Sequence, residues 1–148
     1  MPVHCDPQIT QLLLRLALFR DMTDAELELL LSLATLVEYD AGEYIIREGE
    51  QDHHLFVLLS GQACIYKRSV SIQKALKDLA PGECFGEMSL VESRSRSASV
   101  RATTHCKTLR MDGDKITVPP EIAIKLYRNI AIMLSQRLRH ANDLITLG

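Results

Sequence analysis

The apolar positions of this chain change their spacing twice, and the changes divide it into three parts. Up to about residue 34 the spacing is helical. Leu12, Leu13, Leu16 and Phe19 fall on one face of a helix starting near Pro7. Thr23, with Glu26 three residues on, predicts a capping box at the head of a second helix, which presents Leu27, Leu30, Leu31 and Leu33 and runs to about Ala34. Leucine-rich faces of this kind are ordinary packing surfaces.

From Thr35 to Met111 the pattern breaks into short apolar or β-branched runs: Leu36–Tyr39, Tyr44–Arg47, Leu55–Leu59, Ala63–Tyr66, Ile72–Leu79, Ala98–Ala102 and Cys106–Met111. They are punctuated by Asp40-Ala41-Gly42, Gly49, Ser60-Gly61 and Pro81-Gly82. This rhythm predicts a mainly β protein with flanking helices, built on a small antiparallel, jelly-roll-like β-roll that protects its edges by wrapping and leaves a pocket at one end.

Helical spacing then returns. Asp112–Val118 reads as a short turn, and Pro119-Pro120 opens a long helix with Ile122, Leu126, Ile130, Met133, Leu134, Leu138, Ala141, Leu144 and Ile145 in a stripe. Such a helix is long for one face of a small domain, so it is expected to cover the roll, to pair with the same helix of a second chain, or both. Lys125, Arg128, Arg137 and Arg139 read as its solvated face, with Arg137 alone a neighbour able to stack on a ligand's base. The parts make one domain over 1–148: N-terminal helices 1–34, roll 35–111 and C-terminal helices 112–148.

Composition fits that reading: 148 residues, 47% apolar and 24% charged, suit one globular domain with its own core. The net charge of −2 is unevenly spread. Residues 1–50 hold ten Asp/Glu against three Arg, whereas residues 92–101 hold Arg94, Arg96 and Arg101 against Glu92 alone. No apolar run approaches the roughly twenty residues of a membrane span, and Met1–Asp6 lacks the plan of a signal peptide, so no membrane partner and a cytoplasmic location are expected. Cys64, Cys84 and Cys106 sit in apolar contexts and read as small core residues; Cys5 is uninformative.

The basic spot coincides with the chain's most distinctive stretch, Phe85 to Val100. Gly86 lets a ligand approach the backbone, and the turn it opens has free N–H groups that favour an anion. Glu87 can accept hydrogen bonds from hydroxyls, and Arg96 is a rigid fork of donors for a phosphate. The three together read as a sugar-phosphate clamp.

With Phe85-Gly86-Glu87, Ser89, Leu90 and Arg96-Ser97-Ala98, this stretch resembles the phosphate-binding cassette of the cyclic-nucleotide-binding domain family, found in catabolite-activator-type regulators, regulatory subunits of cyclic-AMP-dependent kinase and cyclic-nucleotide-gated channels. Gly42, Gly49, Gly61 and Gly82 stand where that family places turn glycines, extending the likeness from about Leu18 to Met111. The resemblance implies a stand-alone, bacterial-like sensor domain with a cassette over 85–98. In it Glu87 takes the ribose 2′-hydroxyl, Arg96 the cyclic phosphate, and the backbone of Gly86, Met88, Ser89 and Ser97 the rest, between Phe85 and Ala98. Arg137, Leu138 and Ala141 correspond to the segment that closes over the base, and Asn142 is an amide able to pair with adenine. The ligand implied is cyclic AMP in preference to cyclic GMP, with no cofactor and no metal; a moving C-terminal helix carries the signal to a downstream protein that the sequence does not name.

Other readings fare less well on the residues. His53-His54 invites a metal-dependent enzyme, but successive strand residues point to opposite faces and no later His-plus-carboxylate set follows. Ser89, Ser97 and His105 lack the spacing of a nucleophile and base, so no enzyme is expected. The sequence reaches Gly148 with no recognition helix after the long helix, so no nucleic-acid partner is expected. The remaining alternative is a ligand-free interaction module in which Glu87 and Arg96 survive as a structural ion pair.

Overall fold

The computed structural model describes residues 6–69 and 72–147; Cys5 lies outside them. Helix α1 (Pro7–Leu14) starts at a proline, with the Asp6 carboxylate accepting from the Gln8 N–H at 2.9 Å. It ends sooner than the Leu12–Phe19 spacing predicts. Leu16 turns extended and the chain tightens into a 3₁₀ turn, Ala17–Phe19, that buries Leu18 and Phe19. Helix α2 (Asp24–Ser32) carries the predicted capping box: Thr23 Oγ1 accepts from Glu26 N–H at 3.1 Å and Glu26 Oε1 from Thr23 N–H at 2.8 Å. It stops short of Ala34, because that residue pairs with Met111 in the first strand.

Among the described residues eight strands follow: β1 (Ala34–Tyr39), β2 (Tyr44–Ile46), β3 (His54–Ser60), β4 (Ala63–Ser69), β5 (Ile72–Leu79), β6 (Cys84–Phe85), β7 (Ser99–Ala102) and β8 (Cys106–Asp112). All pairings are antiparallel, in two four-stranded sheets ordered β1-β8-β3-β6 and β2-β7-β4-β5. Strand β6 has no counterpart among the predicted runs, since two residues are too few to show alternation. Strand β3 explains its own unbroken apolar run. Leu55 and Val57 face the helices, while Phe56 and Leu58 face the roll interior, so both sides are buried. One core therefore lies between the first sheet and the helices, and a second fills the roll around Ile46, Phe85, Val100 and Cys106. Cys64 and Cys106 are buried free thiols, and Cys84 is half-buried.

A short helix α3 (Gly113–Ile116) leads into α4 (Pro120–Leu147), 28 residues long. The first half of α4 is fastened down. Ile122, Leu126 and Ile130 are buried, Lys125 Nζ lies 2.5 Å from Glu26 Oε1 on α2, and Arg128 Nη2 donates to Asp21 Oδ2 at 2.8 Å. Lys125, half-buried against Glu26, thus departs from the expected solvated face, whereas Arg128 stays exposed while reaching Asp21. Beyond Met133 the stripe emerges into solvent, with Leu138 64% and Ile145 78% exposed.

Asn129 is the buried polar residue of α4. Its Nδ2 donates to the carbonyls of Leu18 and Arg20 at 2.8 and 3.0 Å, which satisfies the turn where the chain leaves α1. Asn129→Ala orphans those carbonyls and is expected to cost about 1–2 kcal/mol, roughly 2–8 °C in melting temperature. An unchanged thermal melt would show that α4 is held by its apolar contacts alone.

Candidate functional site

The stacked rings of Phe56 and Phe85, 5.3 Å apart, hold β6 on β3 and fix the start of the 85–98 stretch. Gly86 follows at φ 80° and opens the 3₁₀ turn Glu87–Leu90. A Cβ on Gly86 would lie 3.0 Å from the His54 carbonyl and 3.2 Å from Arg96 Nη1, so glycine is required for both conformation and space. The Gly86 carbonyl gathers the site: it accepts from Ser89 N–H at 3.2 Å, Ser89 Oγ at 2.7 Å and Arg96 Nη1 at 3.2 Å.

Arg96 is held on every side. Its N–H donates to Glu50 and its carbonyl accepts from Gly49, tying the cassette to the β2–β3 loop. Nη2 donates to Asp52 Oδ1 at 2.5 Å and to the His54 carbonyl. The side chain is only 8% exposed, and among the described residues its Nε has no hydrogen-bond partner. Asp52 feels opposing influences: burial pushes its carboxyl up, while hydrogen bonds from Arg96 and from the His54 N–H pull it down, and the net position is below the ordinary carboxylate range.

Glu87 is buried on the same wall, and its Oε1 accepts from Arg137 Nη2 of α4 at 3.1 Å. Glu87 and Arg96 therefore take different partners rather than each other. Between them opens a cavity of about 510 Å³. Phe85, Gly86, Glu87, Met88, Ser89, Arg96, Ser97, Ala98 and Arg137 all line it. Of the residues expected at the base, Leu138, Ala141 and Asn142 are exposed and lie outside the cavity wall. Leu138 points about 100° round the helix from Arg137, and Ala141 sits a turn farther along.

The sequence reading missed Asp52, which fixes Arg96 from 44 positions away and lies in a turn without a motif. It also missed the wall made by Ile65, Leu76, Lys77 and Leu79. Strand alternation carries part of that signal, since Lys77, paired with Ile65, shares its side of β5 with Leu79; Leu76 is the extra residue at the register shift beside Ile65, which alternation does not show. Burial raises the Cys84 thiol well above its ordinary range, helped by the nearby Glu87 carboxylate, so this wall residue stays a neutral thiol. His53 and His54 bond to separate acids, Asp114 and Asp52, and no His/Cys/Asp/Glu group suited to a metal occurs among the described residues. Nor is any described helix long and apolar enough to cross a membrane.

Comparison with known proteins points the same way as this geometry. The chain is 37% identical over 135 residues to glutaminase 2 of Bradyrhizobium diazoefficiens, covering 88% of this chain and 21% of that protein. It is 27% identical over 138 residues to the CRP-like cAMP-activated global transcriptional regulator of Mycobacterium tuberculosis, covering 90% and 60% respectively. The crystal structure of the Thermus thermophilus catabolite activator protein matches with a TM-score of 0.76 at 28% identity, over 89% of this chain and 62% of that one. The chain thus spans less than two thirds of each of these proteins. The family model described as the cyclic nucleotide-binding domain matches residues 36–117, which takes in the roll and the whole 85–98 stretch, and the chain belongs to that family.

Proposed function

We propose that this domain is a sensor rather than an enzyme: it binds a cyclic purine mononucleotide, cyclic AMP in preference to cyclic GMP, and signals through α4. The observation that carries the reading is Arg96. A buried guanidinium whose Nη groups are anchored, whose Nε is unpartnered and whose side chain lines a cavity lacks an acceptor, and an anionic phosphate supplies one. Buried Glu87 on the same wall suits a sugar hydroxyl. The names of relatives include a cAMP-activated regulator and cGMP-dependent protein kinases, so they support a cyclic nucleotide and leave the choice of base to titration. The ligand is the only small molecule this reading needs; no cofactor enters it. Calorimetric titration with cyclic AMP and cyclic GMP tests it, and a chain that binds neither is the ligand-free interaction module instead.

The sugar gives a finer test. With Glu87 on the ribose, the 2′-deoxy analogue of the bound nucleotide is expected to bind about tenfold more weakly, the loss of one hydrogen bond to a charged group. Glu87→Gln shrinks that difference. Equal affinity for both sugars would leave Glu87 only its ion pair with Arg137.

A second copy of the chain is part of the same proposal. Ile124, Tyr127, Ala131, Leu134, Leu138, Ala141 and Ile145 recur at alternating three- and four-residue steps, and all are exposed. That is the seam of a coiled coil, on a different face of α4 from Ile122, Leu126, Ile130 and Arg137. Pairing through it leaves Arg137 at the pocket.

A further inference from the structure

The helices pack on the first sheet, while the outer face of the second, β2-β7-β4-β5, holds a cleft of its own with a volume of about 340 Å³. Strand alternation builds it. Ile65 and Val100 turn into the roll, so their neighbours Tyr66 and Ser99, paired across β4 and β7, turn outward, and Arg68 follows Tyr66 on the same face. Tyr44, Arg47 and Glu48 close the cleft from the side of β2. Its positive charge is not balanced from within. The guanidinium carbon of Arg47 lies 4.5 Å from the centre of the Tyr44 ring and that of Arg101 5.5 Å from the same centre, so one tyrosine gathers two cations. Arg47 meets the Glu50 carboxylate at 3.8 Å, longer than a hydrogen bond, with both side chains more than half exposed. The guanidinium of Arg68 has no acidic partner among the described residues. Glu48 is the carboxylate of the cleft, and its Oε1 accepts from the Arg68 backbone N–H at 3.1 Å rather than from a guanidinium.

The segment that supplies Arg47 and Glu48 also holds the arginine of the cassette. The Gly49 N–H donates to the Arg96 carbonyl at 2.9 Å, and the Arg96 N–H donates to the Glu50 carbonyl at 2.8 Å. The Glu48 N–H donates to Ser99 Oγ at 2.8 Å, three residues beyond Arg96. Residues 47–50 therefore touch the outer cleft at one end and the cassette at the other.

We propose that the outer cleft is a second anion site, taking a small phosphate-bearing molecule, and that its occupancy adjusts cyclic-nucleotide affinity through residues 47–50. The adjustment rests on the cyclic-nucleotide reading above; the site itself does not. A phosphate suits the cleft because the planar forks of Arg47 and Arg68 can each donate two hydrogen bonds to its oxygens, and the hydroxyls of Tyr44 and Tyr66 are further donors. An anion bridging Arg47 and Arg68 ties the 47–50 segment to β4 in the arrangement that seats Arg96. The two ligands then favour the same state, and by linkage each raises affinity for the other.

The test titrates pyrophosphate by calorimetry into the wild-type chain, Arg68→Gln and Arg47→Gln, and then cyclic AMP into each protein with and without the pyrophosphate concentration that saturates the wild type. Arg68→Gln removes the guanidinium and keeps the backbone N–H that Glu48 accepts. Pyrophosphate affinity is expected to fall about tenfold in either variant, the loss of one charge-assisted contact at an exposed site. Cyclic AMP affinity is expected to rise about fivefold with pyrophosphate in the wild type and to change little in Arg68→Gln. Pyrophosphate that bound only at the cassette would compete with the nucleotide and lower its affinity in all three proteins alike. That result, an absence of pyrophosphate binding, an equal pyrophosphate affinity in the three proteins, or a cyclic AMP affinity indifferent to pyrophosphate overturns the proposal while leaving the cyclic-nucleotide reading intact. A wild-type chain that binds neither cyclic AMP nor cyclic GMP overturns that reading and the adjustment with it, whereas the site still stands or falls on the pyrophosphate titration of Arg68→Gln. Equal melting temperatures for the three proteins exclude a folding defect as the cause of a selective loss.

Discussion

Replacing Arg96 by alanine is expected to lower cyclic-nucleotide affinity about 30- to 150-fold, or about 2–3 kcal/mol, the contribution of a charge-assisted contact largely shielded from water. Shielding is what makes the loss large. An exposed arginine would trade its phosphate for water at little net cost, but this side chain is 8% exposed and fixed before any ligand arrives. The ligand therefore does not spend binding energy on ordering it. The variant also strips partners from Asp52, the His54 carbonyl and the Gly86 carbonyl. Asp52 and His54 are half-buried, so water can reach part of this loss, and the roll is expected to stay folded with a lowered melting temperature. Arg96→Lys separates charge from geometry: it keeps the cation but lacks the planar fork that bonds Asp52 and Gly86 together, and an affinity between those of wild type and alanine is expected. Wild-type affinity in Arg96→Ala at an unchanged melting temperature would remove the phosphate from this residue.

The same anchor predicts a pH dependence. The Asp52 carboxyl is lowered in the folded protein, so its contribution is fully present above the ordinary carboxylate value near pH 4 and is lost as the pH falls through the lowered folded value. Neutral-pH binding is therefore insensitive to Asp52 titration. Loosening of Arg96 belongs to strongly acidic solution.

How much of this was legible beforehand depends on how local each feature is. The capping box at Thr23 and Glu26, the turn glycines and the Gly86-Glu87 turn are short-range devices, and the sequence displays them directly. The run at β3 was legible as a strand, though its two-sided burial was not, because a buried strand and a buried helix segment look alike by apolar content. Pairings between distant segments left no trace. Asp52 meets Arg96, Lys125 meets Glu26, Arg128 meets Asp21, and Asn129 meets the carbonyls of Leu18 and Arg20. A charged residue on a helix looks the same whether it faces water or an acid a hundred positions away, and only the folded chain distinguishes them. The end of α1 at Leu14 was missed for the same reason: the turn after it is stabilised by Asn129, not by a local breaker such as proline or glycine.

The distal half of α4 is the element expected to move. Its anchors end early: among the described residues the last fully buried apolar one is Ile130, Met133 is only partly covered, and Leu134 and Leu138 face solvent. Arg137 adds one ion pair to Glu87 from a side chain that is 57% exposed, a contact that water and salt can readily replace. A helix held so lightly opens locally more often than the roll, and a purine in the cavity beside Arg137 gives that face of the helix a surface to pack on. Hydrogen exchange over 135–144 is therefore expected to slow on adding cyclic nucleotide by more than exchange in the roll strands. Truncation before Ser135 is expected to weaken binding on the order of tenfold to a hundredfold, the worth of covering one face of a purine at about 25 cal/mol per Å², while the roll stays folded. The coiled-coil seam is a separate face of the same helix, so dimerisation and closure are distinguishable. If the helix serves only to hold two copies together, exchange over 135–144 is already slow without ligand and hardly changes on binding. Truncation then yields a monomer whose affinity for the nucleotide is little altered, and that pair of results would remove α4 from the pocket.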